Sequence, residues 1–300
     1  MNIIVVGAGA MGSLLGALLS KKHKVILIGR AAHAATIRAN GLRIEGQASF
    51  TATVDARDKV DGLAPPDLVL LTVKAYDTKD ALRAMKPLIG PKTILVTAQN
   101  GLGNWEAARA AYPKNPILAA SITYGAFLQE AGHVQWNGTG EIVIGGTPAD
   151  PDQVARVVEA FETASLRVKA AQNVQGTLWM KAIVNACINP LTAIHRVPNG
   201  RILEDPVLRE TMRGACDEAR KVAASEGVLL PTDDPLAAVE NVARTTATNR
   251  SSMLQSIERG QRTEIDAITG EILAVARRHG IPCPINEKLF AAVKELEPRY

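Results

Sequence analysis

The stretch Thr177-Leu-Trp-Met-Lys-Ala-Ile-Val-Asn-Ala-Cys-Ile-Asn-Pro-Leu191 carries Lys181, Asn185 and Asn189 at i, i+4 and i+8 among residues that are otherwise almost all apolar. At about 100° per residue these three form one narrow polar stripe on a helix whose remaining surface belongs in a core. A lysine so placed is hard to keep charged, because burial favours the neutral amine and pulls its pKa down. That makes it a usable proton donor, and the two amides supply donors and acceptors without charge for a small molecule bearing hydroxyl or carbonyl groups. The same pattern also fits a helix at a bundle edge, with a snorkelling lysine and solvent-facing amides. The stripe alone leaves both readings open. Pro190 removes a helical N–H and clashes with the preceding turn, so the helix is expected to kink or stop just past Asn189.

A second chemical feature opens the chain. Asn2-Ile-Ile-Val-Val-Gly7 is a short β-branched run, Gly7-Ala8-Gly9-Ala10-Met11-Gly12 follows, and residues 13–22 have a helical pattern leading into a second strand at 24–29. A G-x-G-x-x-G turn between strand and helix at the start of a βαβ unit is the arrangement that binds dinucleotides. Gly7 permits the tight turn, Gly9 lets the backbone approach a pyrophosphate, Gly12 allows close helix packing, and the helix start offers free N–H groups to phosphate. The second strand ends in Gly29-Arg30, where an NAD site would place an acid for the ribose 2′-hydroxyl. An arginine is the partner for a 2′-phosphate, so NADP is the expected cofactor. Lys74, at the end of an apolar run over 67–73, and Asn100, in a second glycine-rich turn over 98–103, fall on the carboxyl edge where open α/β sheets bind ligands.

Composition bounds these readings. Three hundred residues suffice for two domains with their own cores, and 47% hydrophobic with 21% charged residues excludes disordered and fibrous classes. The net charge of +4 comes from Lys and Arg scattered among acids, without the basic runs of a nucleic-acid binder, and suits an anionic small ligand. Cys187, Cys216 and Cys283 are far apart and lack C-x-x-C spacing, so neither a disulfide framework nor a metal site is indicated, and a reducing compartment is expected. Residues 3–20 are apolar or small but hold Gly7, Gly9, Gly12 and Gly16 and follow no positive segment, unlike a signal peptide. No other window approaches the roughly 18 uninterrupted apolar residues of a membrane span. The expectation is a cytoplasmic protein acting on a small molecule, with neither nucleic acid nor membrane as partner, and with a homodimer left open.

The elements that must position these residues follow in order. Short strands are expected at 42–44 and 50–54, a buried parallel strand at 67–73, a helix from about 77 to 89, and a strand at 93–97. Further strands are expected at 117–128, 133–137 and 141–146, then a helix capped by Asp150-Pro-Asp152 and running to about 164, and a last strand at 166–170. Beyond about 172 the pattern is helical, at 177–189, 206–226, 235–246, 264–279 and 286–296. The fold expected is α/β, an N-terminal Rossmann-type dinucleotide-binding domain over 1–172 followed by an all-helical domain over 173–300. In the helical half, Asn249-Arg-Ser251-Ser252-Met253 offers hydroxyls that either bind a carboxylate or cap a helix, and Glu264 opens a helix where the dipole alone favours an acid.

The combination of Gly7-Ala-Gly-Ala-Met-Gly12, Thr72-Val-Lys74-Ala, Gln99-Asn100-Gly-Leu-Gly-Asn104, Lys181 with Asn185 and Asn189-Pro190, Ser251-Ser252-Met253-Leu-Gln255 and Thr263-Glu264-Ile-Asp266 resembles the ketopantoate reductase (2-dehydropantoate 2-reductase) family along essentially the whole chain. The resemblance implies a helical second domain like that of the 6-phosphogluconate dehydrogenases and the NADPH-dependent reduction of a 2-oxo acid, 2-dehydropantoate, to (R)-pantoate in pantothenate biosynthesis. It implies Lys181 as general acid and Glu264 as the carboxylate that orients it. Asn185 and Asn189 would hold the substrate's hydroxyl end, Ser252 its carboxylate, Asn100 would lie between nicotinamide and substrate, and Arg30 and Lys74 would take the 2′-phosphate. Two other readings are a reductase for another branched 2-oxo acid with the same machinery, and a non-catalytic NADP sensor. The second has no use for a buried proton donor.

Overall fold

The computed structural model describes residues 1–298. By internal contacts the chain divides into two compact units, Met1–Gln99 with Asn104–Val174, and Asn100–Gly103 with the chain from Gln175 onward.

In the first unit the apolar runs lie side by side in an eight-stranded sheet. The order is Val168–Ala170, Ile142–Gly145, Ile117–Ile122, Ile94–Thr97, Leu68–Leu71, Asn2–Val6, Lys24–Ile28, Asp55–Arg57. The six strands from Ile117–Ile122 to Asp55–Arg57 are parallel, and Ile142–Gly145 reverses direction against Ile117–Ile122. Parallel strands covered on both faces need continuous apolar runs, and Leu68–Leu71 and Ile94–Thr97 are buried at every position. Asn2–Val6 sits between Lys24–Ile28 and Leu68–Leu71, Ile4 pairing with Ile26 on one side and Val69 on the other. The strand–helix alternation with this order is Rossmann-type.

Several local expectations change. The run at 117–128 is two strands: Ile117–Ile122 joins the main sheet, while Gly125–Glu130 joins a four-stranded sheet with Phe50–Ala52, Leu42–Gly46 and His133–Gly138. The separation falls at Thr123, whose N–H and hydroxyl both bond the Glu141 carbonyl. Asp150 does not cap the Pro151–Thr163 helix; its carboxylate instead accepts from the Thr147 N–H at 2.9 Å and hydroxyl at 2.6 Å. Asp55–Arg57, a three-residue edge strand, has no periodicity to announce it.

The second unit is helical: Val174–His195, Arg201–Glu204, Pro206–Ser225, Pro235–Thr245, Ser252–Glu258, a π-helical turn at Asp266–Gly270 continuing as Glu271–His279, and Pro284–Leu296. Its core gathers Ile183, Ile188, Leu191, Met212, Val222, Ile272 and Val293. The buried Glu218 accepts from the Ile285 and Asn286 N–H groups, both at 2.9 Å, so a carboxylate from one helix meets the positive start of another. Among the described residues no helix is long and apolar enough to cross a membrane, and all three cysteines are free and buried.

The helix bearing the polar stripe does not stop at Pro190. It runs 22 residues, through Pro190 to His195. A helix-interior proline costs about 3 kcal/mol relative to alanine. Ile188 and Leu191, on either side of it, are 2% and 1% exposed, and full burial of such side chains is worth about 1.5–3 kcal/mol each. Packing therefore matches or exceeds the proline penalty. In urea denaturation Pro190→Ala is expected to raise stability by up to about 3 kcal/mol and Ile188→Ala to lower it by about 2–5 kcal/mol. An Ile188→Ala loss smaller than the Pro190→Ala gain would mean that packing does not carry the helix past residue 190.

Candidate active site

In the Rossmann-type unit, Asn2–Val6 delivers Gly7 at φ 109°, in the left-handed region, and a Cβ there would lie 2.4 Å from the Val73 nitrogen. A Cβ on Gly12 would lie 2.3 Å from the Gly7 carbonyl oxygen, which also accepts from the Thr72 hydroxyl at 2.8 Å. Gly9 is different, because a Cβ there would meet no non-neighbouring atom closer than 4.0 Å. Packing inside the protein does not require glycine at Gly9, whereas a ligand approaching the backbone does. Gly9 leads into the Ala10–Leu19 helix, whose start has no side-chain cap and no acid in its first turn, leaving its N–H groups and positive dipole end for an anion. The residues present fit a dinucleotide pyrophosphate.

Around this turn the backbone is pinned: the Gly7 and Ala8 N–H groups both donate to the Ile28 carbonyl, at 2.9 and 2.8 Å, on the strand that ends before Arg30. Arg30 is exposed and opens the Ala31–Asn40 helix, and Lys74 is exposed just past Leu68–Leu71. These two strands flank Asn2–Val6, so the cations stand at the carboxyl ends on either side of the glycine turn. His33, which the sequence did not single out, ties the Arg30-bearing helix to the phosphate-facing one. Its Nδ1 accepts from the Gly132 N–H at 2.9 Å, so the proton is on Nε2, 2.9 Å from the Ser13 hydroxyl. Burial holds His33 below the usual histidine range, which keeps it neutral in this role.

The helical unit gathers the second set. Lys181, Asn185 and Asn189 lie along Val174–His195, Asn189 buried and the other two partly so. Lys181 retains some solvent exposure, yet burial is the larger influence on its ammonium and pulls it from 10.5 to about 8, while the Glu264 carboxylate opposes this by favouring the charged form. Glu264 is 7% exposed and lies just before the π-helical turn rather than within a long regular helix. Asn100 Nδ2 donates to Glu264 Oε2 at 3.3 Å. The segment Asn100–Gly103 docks on that turn: the Leu102 N–H donates to the Ala267 carbonyl at 2.8 Å, and a Cβ on Gly101, at φ 86°, would fall 2.4 Å from the same oxygen. Lys181, Glu264 and Asn100 are thus brought together, with Asn185 and Asn189 one and two turns along the lysine's helix.

Ser252 is exposed at the first position of Ser252–Glu258. The capping role falls on its neighbour: the Ser251 hydroxyl accepts from the Leu254 N–H at 3.1 Å and from the Thr192 hydroxyl at 2.7 Å. Ser252 is therefore not used as the cap. Thr192 lies on the stripe-bearing helix three residues past Asn189, so the Ser251 bond ties the two elements together. The Thr192–Ser251 contact had no signal in local spacing, because it joins positions 59 apart, whereas the cap is a local bond to the third residue on, among the hydroxyls the sequence offered for it.

The family model described as ketopantoate reductase PanE/ApbA matches residues 3–149, and that for the ketopantoate reductase PanE/ApbA C terminal matches residues 173–297. The 2-dehydropantoate 2-reductase of Pyrococcus horikoshii is 38% identical over 299 residues, spanning 99% of this chain and 98% of the relative. A crystal structure of a PanE/ApbA family ketopantoate reductase from Ralstonia eutropha JMP134 is 35% identical, with a TM-score of 0.92, covering 99% of this chain and 98% of that one. A D-mandelate dehydrogenase in a ternary structure with NADH and anilino(oxo)acetate is 25% identical, with a TM-score of 0.94, covering 99% and 98%. The chain belongs to the ketopantoate reductase family.

Proposed function

We propose that the protein reduces 2-dehydropantoate to (R)-pantoate with NADPH, in pantothenate biosynthesis, with Lys181 as general acid. The observation that carries this reading is Lys181 on one helix face with two amides, close enough to the buried Glu264 carboxylate for it to oppose the burial that pulls the lysine's pKa down to about 8. NADPH, when bound, supplies a hydride to C2 of the 2-oxo acid. Residues 1–172 hold the nucleotide: Gly7, Ala8, Gly9, Ala10, Met11 and Gly12 take the pyrophosphate, Arg30 and Lys74 the 2′-phosphate. Residues 173–300 supply the substrate contacts. The protein works in the cytoplasm on a free small molecule, without nucleic acid or membrane, and the reading leaves room for a homodimer.

Lys181 donates its proton from Nζ to the C2 oxygen as negative charge gathers there. A group titrating at about 8 is about nine-tenths protonated at pH 7, so the acid form dominates while its proton is still readily given up. Glu264 helps keep the ammonium charged in a desolvated setting, and Asn100, hydrogen-bonded to that carboxylate, would lie between nicotinamide and substrate. Asn185 and Asn189 receive the substrate's hydroxyl, and Ser252, left uncommitted to capping, its carboxylate. Among the described residues neither asparagine side chain makes a hydrogen bond, which fits amides kept for a ligand. A second reading, reduction of another branched 2-oxo acid by the same machinery, draws support from the likeness to the D-mandelate dehydrogenase.

Four measurements test this. A pocket that hydrogen-bonds the substrate hydroxyl should reject the analogue lacking it by about 10⁴-fold in kcat/KM, so comparable values for ketopantoate and 2-oxoisovalerate would promote the second reading. Arg30→Ala should cut the NADPH-over-NADH preference about 10- to 100-fold, the worth of one charge-assisted phosphate contact; an unchanged ratio would remove Arg30 from the cofactor site. Lys181→Ala should lose about 10²- to 10⁴-fold in kcat. In the wild type the reduction rate should fall as pH rises through about 8, because the acid form is lost above its pKa. A Lys181→Ala enzyme within a few-fold of wild type would mean that another group or water supplies the proton.

A further inference from the structure

The Asn100–Gly103 segment that meets Glu264 is bracketed by two buried side chains joined through a third. Gln99 Nε2 donates to Thr78 Oγ1 at 2.6 Å, and Thr78 Oγ1 donates in turn to Asn104 Oδ1 at 2.8 Å. Gln99, Thr78 and Asn104 are 7%, 4% and 7% exposed. A hydroxyl has a single hydrogen, so the chain of bonds has a direction, from the Gln99 amide in to the Asn104 carbonyl out. Gln99 Oε1 is buried with no hydrogen-bond partner among the described residues. The glutamine is thus placed for what its amide N–H does at Thr78, since its own acceptor goes unused.

Gln99 and Asn104 are the residues immediately before and after the segment, so one hydroxyl grips both of its ends. Between the grips, Gly101 and Gly103 have φ of 86° and 80°, where glycine's backbone freedom would otherwise let the turn wander. The turn carries the Asn100 amide to the Glu264 carboxylate, and that carboxylate acts on Lys181.

We propose that Thr78 and Gln99 are positioning residues for the reduction: the Gln99–Thr78–Asn104 hydrogen-bond chain clamps the Asn100–Gly103 turn and so holds the Asn100 amide against Glu264. The proposal rests on the reductase reading for its kinetic consequence, and on geometry alone for its structural one.

The test uses the full-length protein. Thr78→Val keeps the size and removes the hydroxyl, Gln99→Leu removes the donor, and Thr78→Ser restores the hydroxyl. NMR of lysine labelled with 13C at Cε follows the Lys181 titration, assigned by its disappearance in Lys181→Met. Ketopantoate turnover is normalised to NADPH sites titrated by fluorescence. In Thr78→Val and Gln99→Leu the Lys181 midpoint should fall by about half a unit, because a carboxylate no longer held in place offsets desolvation less. Turnover should show kcat down about tenfold with KM within about threefold, and Thr78→Ser should stay within about twofold of wild type. A midpoint that stays or rises in both variants, or equal impairment in Thr78→Val and Thr78→Ser, would overturn the proposal. If Thr78→Val does not fold, Gln99→Leu decides. The midpoint is read without turnover: an inactive wild type with shifted variants would sink the reductase reading and leave the clamp, and an active wild type with unshifted variants would do the reverse.

Discussion

The helical unit is organised around the difficulty of keeping one ammonium charged where water is scarce. Desolvation alone would carry Lys181 towards the neutral amine, which has no proton to give at the oxygen it would serve. A close carboxylate reverses part of that, and the outcome, about 8, lies between a lysine too basic to part with its proton and one that has already lost it. The position of Glu264 is therefore as consequential as the lysine itself. The structure spends several features on it: burial of the glutamate, a π-helical turn directly after it, and a glycine-rich turn whose asparagine donates to the carboxylate. π-Helical turns recur at functional sites because they place backbone groups outside the regular ladder, and here the Ala267 carbonyl takes up the Leu102 N–H.

The nucleotide side rests on a different constraint, close approach of backbone to backbone. Gly7 and Gly12 are dictated from within, since side chains there would collide with Val73 and with the Gly7 carbonyl. Gly9 is not, since a Cβ there would meet nothing closer than 4.0 Å, which fits a position kept small for a ligand. The uncapped helix start and the two cations at the ends of the flanking strands make the same edge favourable for phosphate, in keeping with a chain whose net charge is only mildly positive.

Stability in the helical unit comes from packing that overrides local preference. Pro190 opposes the helix that contains it, yet burial of Ile188 and Leu191 matches or exceeds what the proline costs, and Asn189 stays on the stripe as a result. Glu218 shows the complementary device, a buried acid that is tolerated because backbone N–H groups at a helix start satisfy it.

The sequence by itself determined the elements whose information is local. Spacing of 3.6 put Lys181, Asn185 and Asn189 on one face, and a β-branched run before G-x-G-x-x-G marked the strand–turn–helix that opens the Rossmann-type unit. Continuous apolar runs marked the parallel strands. Tertiary structure decided what depends on residues far apart in the chain. Asn100 meets Glu264 across 164 positions and Thr192 meets Ser251 across 59, and no periodicity encodes either. The division of 117–128 between two sheets, the passage of the helix through Pro190, and the grip of Thr78 on both ends of the Asn100–Gly103 turn are of the same kind. Each is settled by which partner is brought within hydrogen-bonding or van der Waals reach, and that is a property of the packed fold, whereas propensity and pattern reach only a few residues along the chain.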